Sequence, residues 1–514
     1  MVSKLHDFLS PPTPNRKLKP SRMIPAIILS LSSGMISPSS AQARSLPENP
    51  LLDTDSYKVS HWKQYPAGTN KIFGYLESRG GPFKETVFFG LQYILREHFS
   101  TPITKEMVDE ARALFAAHFM SDSIFNYDGW MRVVTVHGGR LPIRIRAVPE
   151  GSVVPVGSPL VTVESLDPEL PWLGSWFEAQ LMRVWYSTNV ATISHEAKRT
   201  IKHYLELTAD TNGKLPFMLH DFGARGVSSQ ESAGIGGAAH LVNFMGSDTI
   251  QGIRVAQHYY NEPKMPAFSI PAAEHSTITS WGQENEVHAF KNMLDQFAKP
   301  GSLVAAVSDS YDLWHAIESL WGTVLKDQII ASGATVVIRP DSGEPVDVVM
   351  KSLRLLEKQF GATPNDKKYK VINHQVRLIQ GDGVNLQSIQ EILAAMALEK
   401  FSADNIAFGM GGALLQKHDR DTFKFAFKTS SIRVGGEYRD VFKDPVTDPG
   451  KRSKRGYLDL IQRADGRYET IQVPNDHIDG YSYAGSQLNI VYDSGALAAP
   501  QTLSEIRARA DSNL

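Results

Sequence analysis

From Pro216 onward the chain repeats one rhythm: a short apolar run, then at once a polar, glycine-rich or charged loop. The pairs are FML and HDFGARG, AFSI and PAAEHST, LVAAV and SDSYD, TVVI and RPDSG, VRLI and QGDG, NIAF and GMGG. Helical patterns such as YDLWHAIESLW and LQSIQEILAAMALEK separate several of them. Short apolar runs bounded by turn residues read as strands buried on both faces, and strands alternating with helices ask for a parallel sheet. In such a sheet the loops that follow the strands converge at one face, so scattered motifs become one site. The expected fold class is α/β, an atypical parallel α/β barrel.

At 514 residues the chain exceeds what one ordinary core takes up. Residues 179–416 are assigned to the barrel, and residues 49–178 with 417–514 to a smaller mixed α+β domain built from the N- and C-terminal parts. Within it, KEMVDEARALFAAHF has helical periodicity, and GSVVPVGSPLVTVE reads as a lipoyl-like hairpin without a lysine at its turn. Residues 1–48 place basic residues, a diluted apolar stretch and SPSSAQARS in the order of a secretory signal; the alternative is a disordered extension. A cytoplasmic location is expected, with export as the lesser reading. With 53 basic and 55 acidic residues, no global field favours nucleic acid or an anionic membrane. The absence of cysteine excludes disulfides, thiolate metal sites and a thiol nucleophile.

The loops carry the chemistry. Asp309, Asp312, Asp341 and Asp382 lie just past expected strand ends, where a magnesium ion and ribose hydroxyls would relieve their repulsion; helix capping is the competing role for Asp309 and Asp312. Arg225, Arg339, Arg420 and Lys428 would bring cations to the same face for a sugar phosphate or polyphosphate. FGMGG at Phe408–Gly412 could cradle a phosphate on backbone amides or be a simple tight turn. GIGGAA at Gly234–Ala239 follows no strand, so close helix packing is preferred over a dinucleotide fingerprint. Phe222 could stack on a flat ring or pack on its neighbours. His275 in PAAEHSTITSWG could be structural, move a proton or take a covalent group.

Together these segments, with LLDTDSYKVSHWKQYP, ETVFFGLQYIL, GSDT and VFKDPVTDPGKRSK, resemble the nicotinamide phosphoribosyltransferase family in order and spacing, from Leu51 to the last helix. The resemblance implies transfer of phosphoribosyl from 5-phosphoribosyl 1-pyrophosphate to nicotinamide. It implies magnesium, ATP hydrolysis coupled through a phosphohistidine at His275, and a homodimer with shared sites. By resemblance Phe222 and the second subunit's Tyr57 sandwich the pyridine ring, Asp248 accepts from the carboxamide, and Arg339 helps hold it. Asp341, Gly381 and Asp382 take the ribose; Gly411, Gly412, Arg420 and a second-subunit Arg79 take the 5′-phosphate. Asp309 and Asp341 form the magnesium side, Arg225 and His275 the pyrophosphate side, and Lys428, Lys443 and Lys451 contact polyphosphate.

The chain departs from the animal enzymes at Ala305, Met410 and Tyr457, the last weakening the expected ATP contacts at that edge. Asp248 favours the amide over nicotinate, because a carboxylate repels a carboxylate. Nicotinate phosphoribosyltransferase of the same architecture and an exported non-catalytic binding protein stand as alternatives. For His275, Glu274 or a nearby carboxylate is expected to orient the ring nitrogen not used for chemistry, and Ser276 and Thr277 to begin a helix.

Overall fold

The computed structural model describes residues 49–514; the expectation for residues 1–48 lies outside them. Six parallel strands run in the spatial order Gly246–Ser247, Leu219–Asp221, Ile406–Met410, Val376–Gln380, Thr335–Arg339 and Leu303–Val307. Their cores are apolar on both faces, with Val304, Ala306, Val336, Ile338, Leu378 and Phe408 all buried. The two edges of this sheet are joined by the segment 268–272, which bridges Gly246 through Phe268 and Ala305 through Ala272, so the ladder closes on itself. AFSI therefore lies where a strand was expected but forms no regular one. Pro266 and Pro271 flank AFSI, and proline has no N–H to give a ladder. Gly246–Ser247 is a strand the periodicity did not reveal.

A second, seven-stranded sheet contains Glu437–Asp440, Phe425–Val434, Thr69–Ser78, Pro159–Ser165, Ile143–Ala147, Asn489–Asp493 and Ala496–Leu497 in that order, drawing on both ends of the chain. The expected lipoyl-like hairpin is not formed. Val153–Pro155 pairs with Glu85–Val87, while Pro159–Ser165 sits between Thr69–Ser78 and Ile143–Ala147. The Lys105–Phe119 helix forms as read, with Thr104 accepting from Met107 N–H at its start. Leu386–Leu398 begins at an Asn385 capping box. The helix containing GIGGAA, Gln230–His240, packs on Ile250–Tyr259 so closely that a Cβ on Gly252 would lie 2.7 Å from the Gly237 carbonyl carbon. That contact bears out helix packing as its role. Among the described residues no helix is long and apolar enough to cross a membrane.

Candidate active site

Each parallel strand delivers its polar residues at its C-terminal end. His275 opens the short helix His275–Thr279, and its Nε2 lies 3.1 Å from Asp309 Oδ1, just past Leu303–Val307. On the ring's other side Nδ1 is 3.9 Å from Asp341 Oδ2, just past Thr335–Arg339. Asp309 is fixed in turn: its Oδ2 accepts from the Asp341 N–H at 3.0 Å and from the Ser342 hydroxyl. Glu274 does not orient the imidazole; its carboxylate accepts from Ser276 Oγ, and Asp309 takes the orienting role. Of the two aspartates weighed as helix caps, Asp312 is one, accepting from Trp314 and His315 N–H groups, whereas Asp309 is not. Glu286 is buried beside this group with Oε1 unpartnered, and burial together with the charges of Asp312 and Asp309 pushes its carboxyl up to about 7.

The Phe222 ring lies next to these carboxylates. The Phe222 N–H donates to the Met410 carbonyl at 3.0 Å, and the ring lies over Gly409, where a Cβ would stand 1.9 Å from its Cε2. A Cβ on Gly381 would touch Asp341 Oδ1, Phe222 Cε2 and Arg339 Cδ at 3.4 to 3.7 Å, so these four residues meet at one point. Arg339 Nε is buried without a hydrogen-bond partner and lies 3.9 Å from Asp341 Oδ1. Asp248 is exposed at the same rim; its N–H donates to the Asp221 carbonyl and its Oδ1 accepts from Ser269 Oγ at 2.5 Å. Behind the ring, Ala305, Val337 and Ile379 form an apolar cluster with Phe222, Ile270 and Ala407. In the FGMGG turn, Gly409 clears the phenyl ring, and Gly412 lies under the Arg225 loop, 3.8 Å from the place of a Gly226 Cβ. Met410 is wholly buried.

A cationic group occupies the antiparallel sheet. Lys428 lies close to Glu178, Arg79, Lys443 and Lys58, and burial, aided by the three cations, holds its ammonium below the usual range. Tyr57 is 58% exposed, and the neighbouring Lys58 pairs with Glu178. Lys451 pairs with Asp448 and Arg420 with Asp421, while Asp382 and Arg225 are solvent-facing. Within one chain no hydrogen bond or ion pair joins Tyr57, Arg79, Lys428 or Lys443 to the His275 cluster, among the described residues. Tyr457 is buried, stacked on Phe73, with its hydroxyl bonded to Tyr483. Ser269 and Ser342, which hold Asp248 and Asp309, stood inside AFSI and RPDSG without distinguishing marks.

The model of the nicotinate phosphoribosyltransferase (NAPRTase) family matches residues 217–476, and that of the nicotinamide phosphoribosyltransferase N-terminal domain matches residues 49–145. A nicotinamide phosphoribosyltransferase of Xanthomonas campestris pv. campestris (strain 8004) is 55% identical over 469 residues, 90% of this chain and 98% of that protein. The chain belongs to the nicotinamide phosphoribosyltransferase family. A second nicotinamide phosphoribosyltransferase, from Acinetobacter baylyi (strain ATCC 33305 / BD413 / ADP1), is 32% identical and covers 90% of this chain and 97% of its own. The fold is shared more widely than the nicotinamide phosphoribosyltransferase sequence. Nicotinate-nucleotide pyrophosphorylase from Pyrococcus furiosus superposes with a TM-score of 0.59 at 14% identity, covering 91% of this chain and 97% of that one. Human nicotinic acid phosphoribosyltransferase gives 0.51 at 15%, covering 89% and 93%.

Proposed function

We propose that this chain transfers the phosphoribosyl group of 5-phosphoribosyl 1-pyrophosphate to nicotinamide, giving nicotinamide mononucleotide and pyrophosphate. The observation that carries this is that Phe222 and Asp248 leave neighbouring parallel strands side by side, with the Asp248 N–H on the Asp221 carbonyl. The ring offers a stacking face to a pyridine, and the carboxylate accepts from a carboxamide while opposing the carboxylate of nicotinate. As the ribose C1–oxygen bond to pyrophosphate breaks and the pyridine nitrogen bonds to C1, positive charge grows on the sugar. Asp341 and Asp382 face that charge, while Arg225 and His275 face the departing pyrophosphate. Arg339, with an unpartnered buried Nε, has a donor in reserve for the substrate carboxamide.

Asp309 and Asp341 are the residues that would hold magnesium, and the unpartnered Glu286 oxygen beside Asp309 fits a site that gains from added positive charge. A magnesium ion there would keep waters and take phosphate oxygens as its further ligands. Bound there, it would neutralise pyrophosphate charge. The His275 nitrogen not held by Asp309 is the nucleophile for the γ-phosphate of ATP, and the phosphohistidine then supports pyrophosphate binding. Tyr57, Arg79 and the Lys428 group are assigned to the site of a partner subunit, which makes the working unit a homodimer in the cytoplasm. Mononucleotide formation from nicotinamide and from nicotinate at equal concentration, with and without ATP, tests the reading; preference for the acid would overturn it.

A further inference from the structure

Asp221, the last residue of the Leu219–Asp221 strand, is wholly buried and has no place in the reaction just described. Its Oδ1 accepts from the Gly223 N–H at 2.7 Å, tightening the turn that presents Phe222, and its carbonyl accepts from the Asp248 N–H at 3.0 Å. The strands align Asp221 with Ser247, so Asp248 is the next residue across. The Thr249 hydroxyl lies beside this carboxylate and, with the Gly223 N–H, favours its charged form. Burial first, and the charge of Asp248 in addition, push this carboxyl up to about 6 against the partial offset of those two donors. An asparagine would serve the Gly223 N–H equally well without placing charge in a buried site beside another carboxylate. A costly charge retained at such a point is accounted for if the charge itself is used.

We propose that Asp221 is a specificity-determining residue: its buried carboxylate, set behind Asp248, adds to the negative field that admits a carboxamide and turns away a carboxylate. This rests on the reading of Asp248 as the amide-selecting group. Low-dielectric surroundings let such a field reach past its nearest neighbours. The test compares wild type with Asp221→Asn and Asp221→Ser, both of which keep an acceptor for Gly223. The readouts are kcat/KM for nicotinamide and nicotinate, and the melting temperature. In Asp221→Asn the amide-to-acid ratio should fall about tenfold, chiefly by faster use of nicotinate, with nicotinamide KM within about threefold and no loss of thermal stability. Wild type preferring nicotinate would overturn the functional reading itself. Wild type preferring nicotinamide, with the ratio unchanged in the folded variants, would overturn the role of Asp221 alone. Failure of both variants to fold would also overturn it, since the charge would then be structural.

Discussion

Gly409→Ala places one methyl group between a strand and the ring that serves as stacking platform. The added Cβ would lie 1.9 Å from Phe222 Cε2, 2.3 Å from Cδ2 and 2.7 Å from Cζ. Carbon atoms settle at about 3.5 Å or more, so the ring must retreat by roughly 1.5 Å. Phe222 is only half-buried, so it can yield without unravelling the barrel, at a stability cost of about 1–3 kcal/mol. Stacking of a flat ring on an aromatic side chain is worth about 1–3 kcal/mol, which becomes roughly a 5- to 150-fold rise in nicotinamide KM. Initial rates against nicotinamide at saturating phosphoribosyl pyrophosphate measure it. The KM for phosphoribosyl pyrophosphate should rise less than that for nicotinamide, since the ring reaches the ribose side only through Gly381 and Asp341. A folded variant with nicotinamide KM within twofold of wild type would refute the assignment of Phe222 as platform.

His275→Ala should lose ATP hydrolysis and ATP stimulation while retaining basal transfer; unchanged ATPase activity would remove the phosphohistidine from the mechanism. Asp309→Asn, which takes the charge from the His275 partner, should lower ATP hydrolysis by about 10²-fold, measured as phosphate release. Asp248→Asn should bring the kcat/KM values for nicotinamide and nicotinate together, and a ratio equal to wild type would count against Asp248 as selector. Burial holds His195 down to about 4 against the ordinary 6.5. The unfolded chain takes up this proton as pH falls below about 6.5, whereas the folded chain refuses it until about pH 4. The stability advantage of wild type over His195→Gln, read from denaturant midpoints, should therefore shrink between pH 7 and 5; parallel profiles would disprove it.

The barrel was legible because its strands are short apolar runs with abrupt polar ends, and the same abruptness exposed His275, Asp309 and Asp341. What escaped the sequence had no period to show. Gly246–Ser247 is two residues long, and AFSI has the composition of a strand but is flanked by prolines that leave only bridges. GSVVPVGSPLVTVE reads as one hairpin because alternation reports which residues are buried, not which strand each arm pairs with. In FGMGG the glycines suggested a phosphate cradle or a tight turn, yet Gly409 is required by a ring supplied 187 positions earlier by Phe222. Ser269 and Ser342 were invisible because a hydroxyl acquires a role only from the carboxylate it faces.

The interior strand Thr69–Ser78 pairs along its length with Phe425–Val434, and Ser78 Oγ donates to the Phe423 carbonyl across 345 positions of chain. During synthesis this strand has one neighbour, Pro159–Ser165, and waits for the other until nearly the whole polypeptide has left the ribosome. Ladders closed over such separations form slowly, and an unpaired strand edge invites association with other chains in the meantime. Premature termination anywhere before residue 425 leaves that edge permanently open, so truncated products are candidates for aggregation and proteolytic clearance rather than for residual activity.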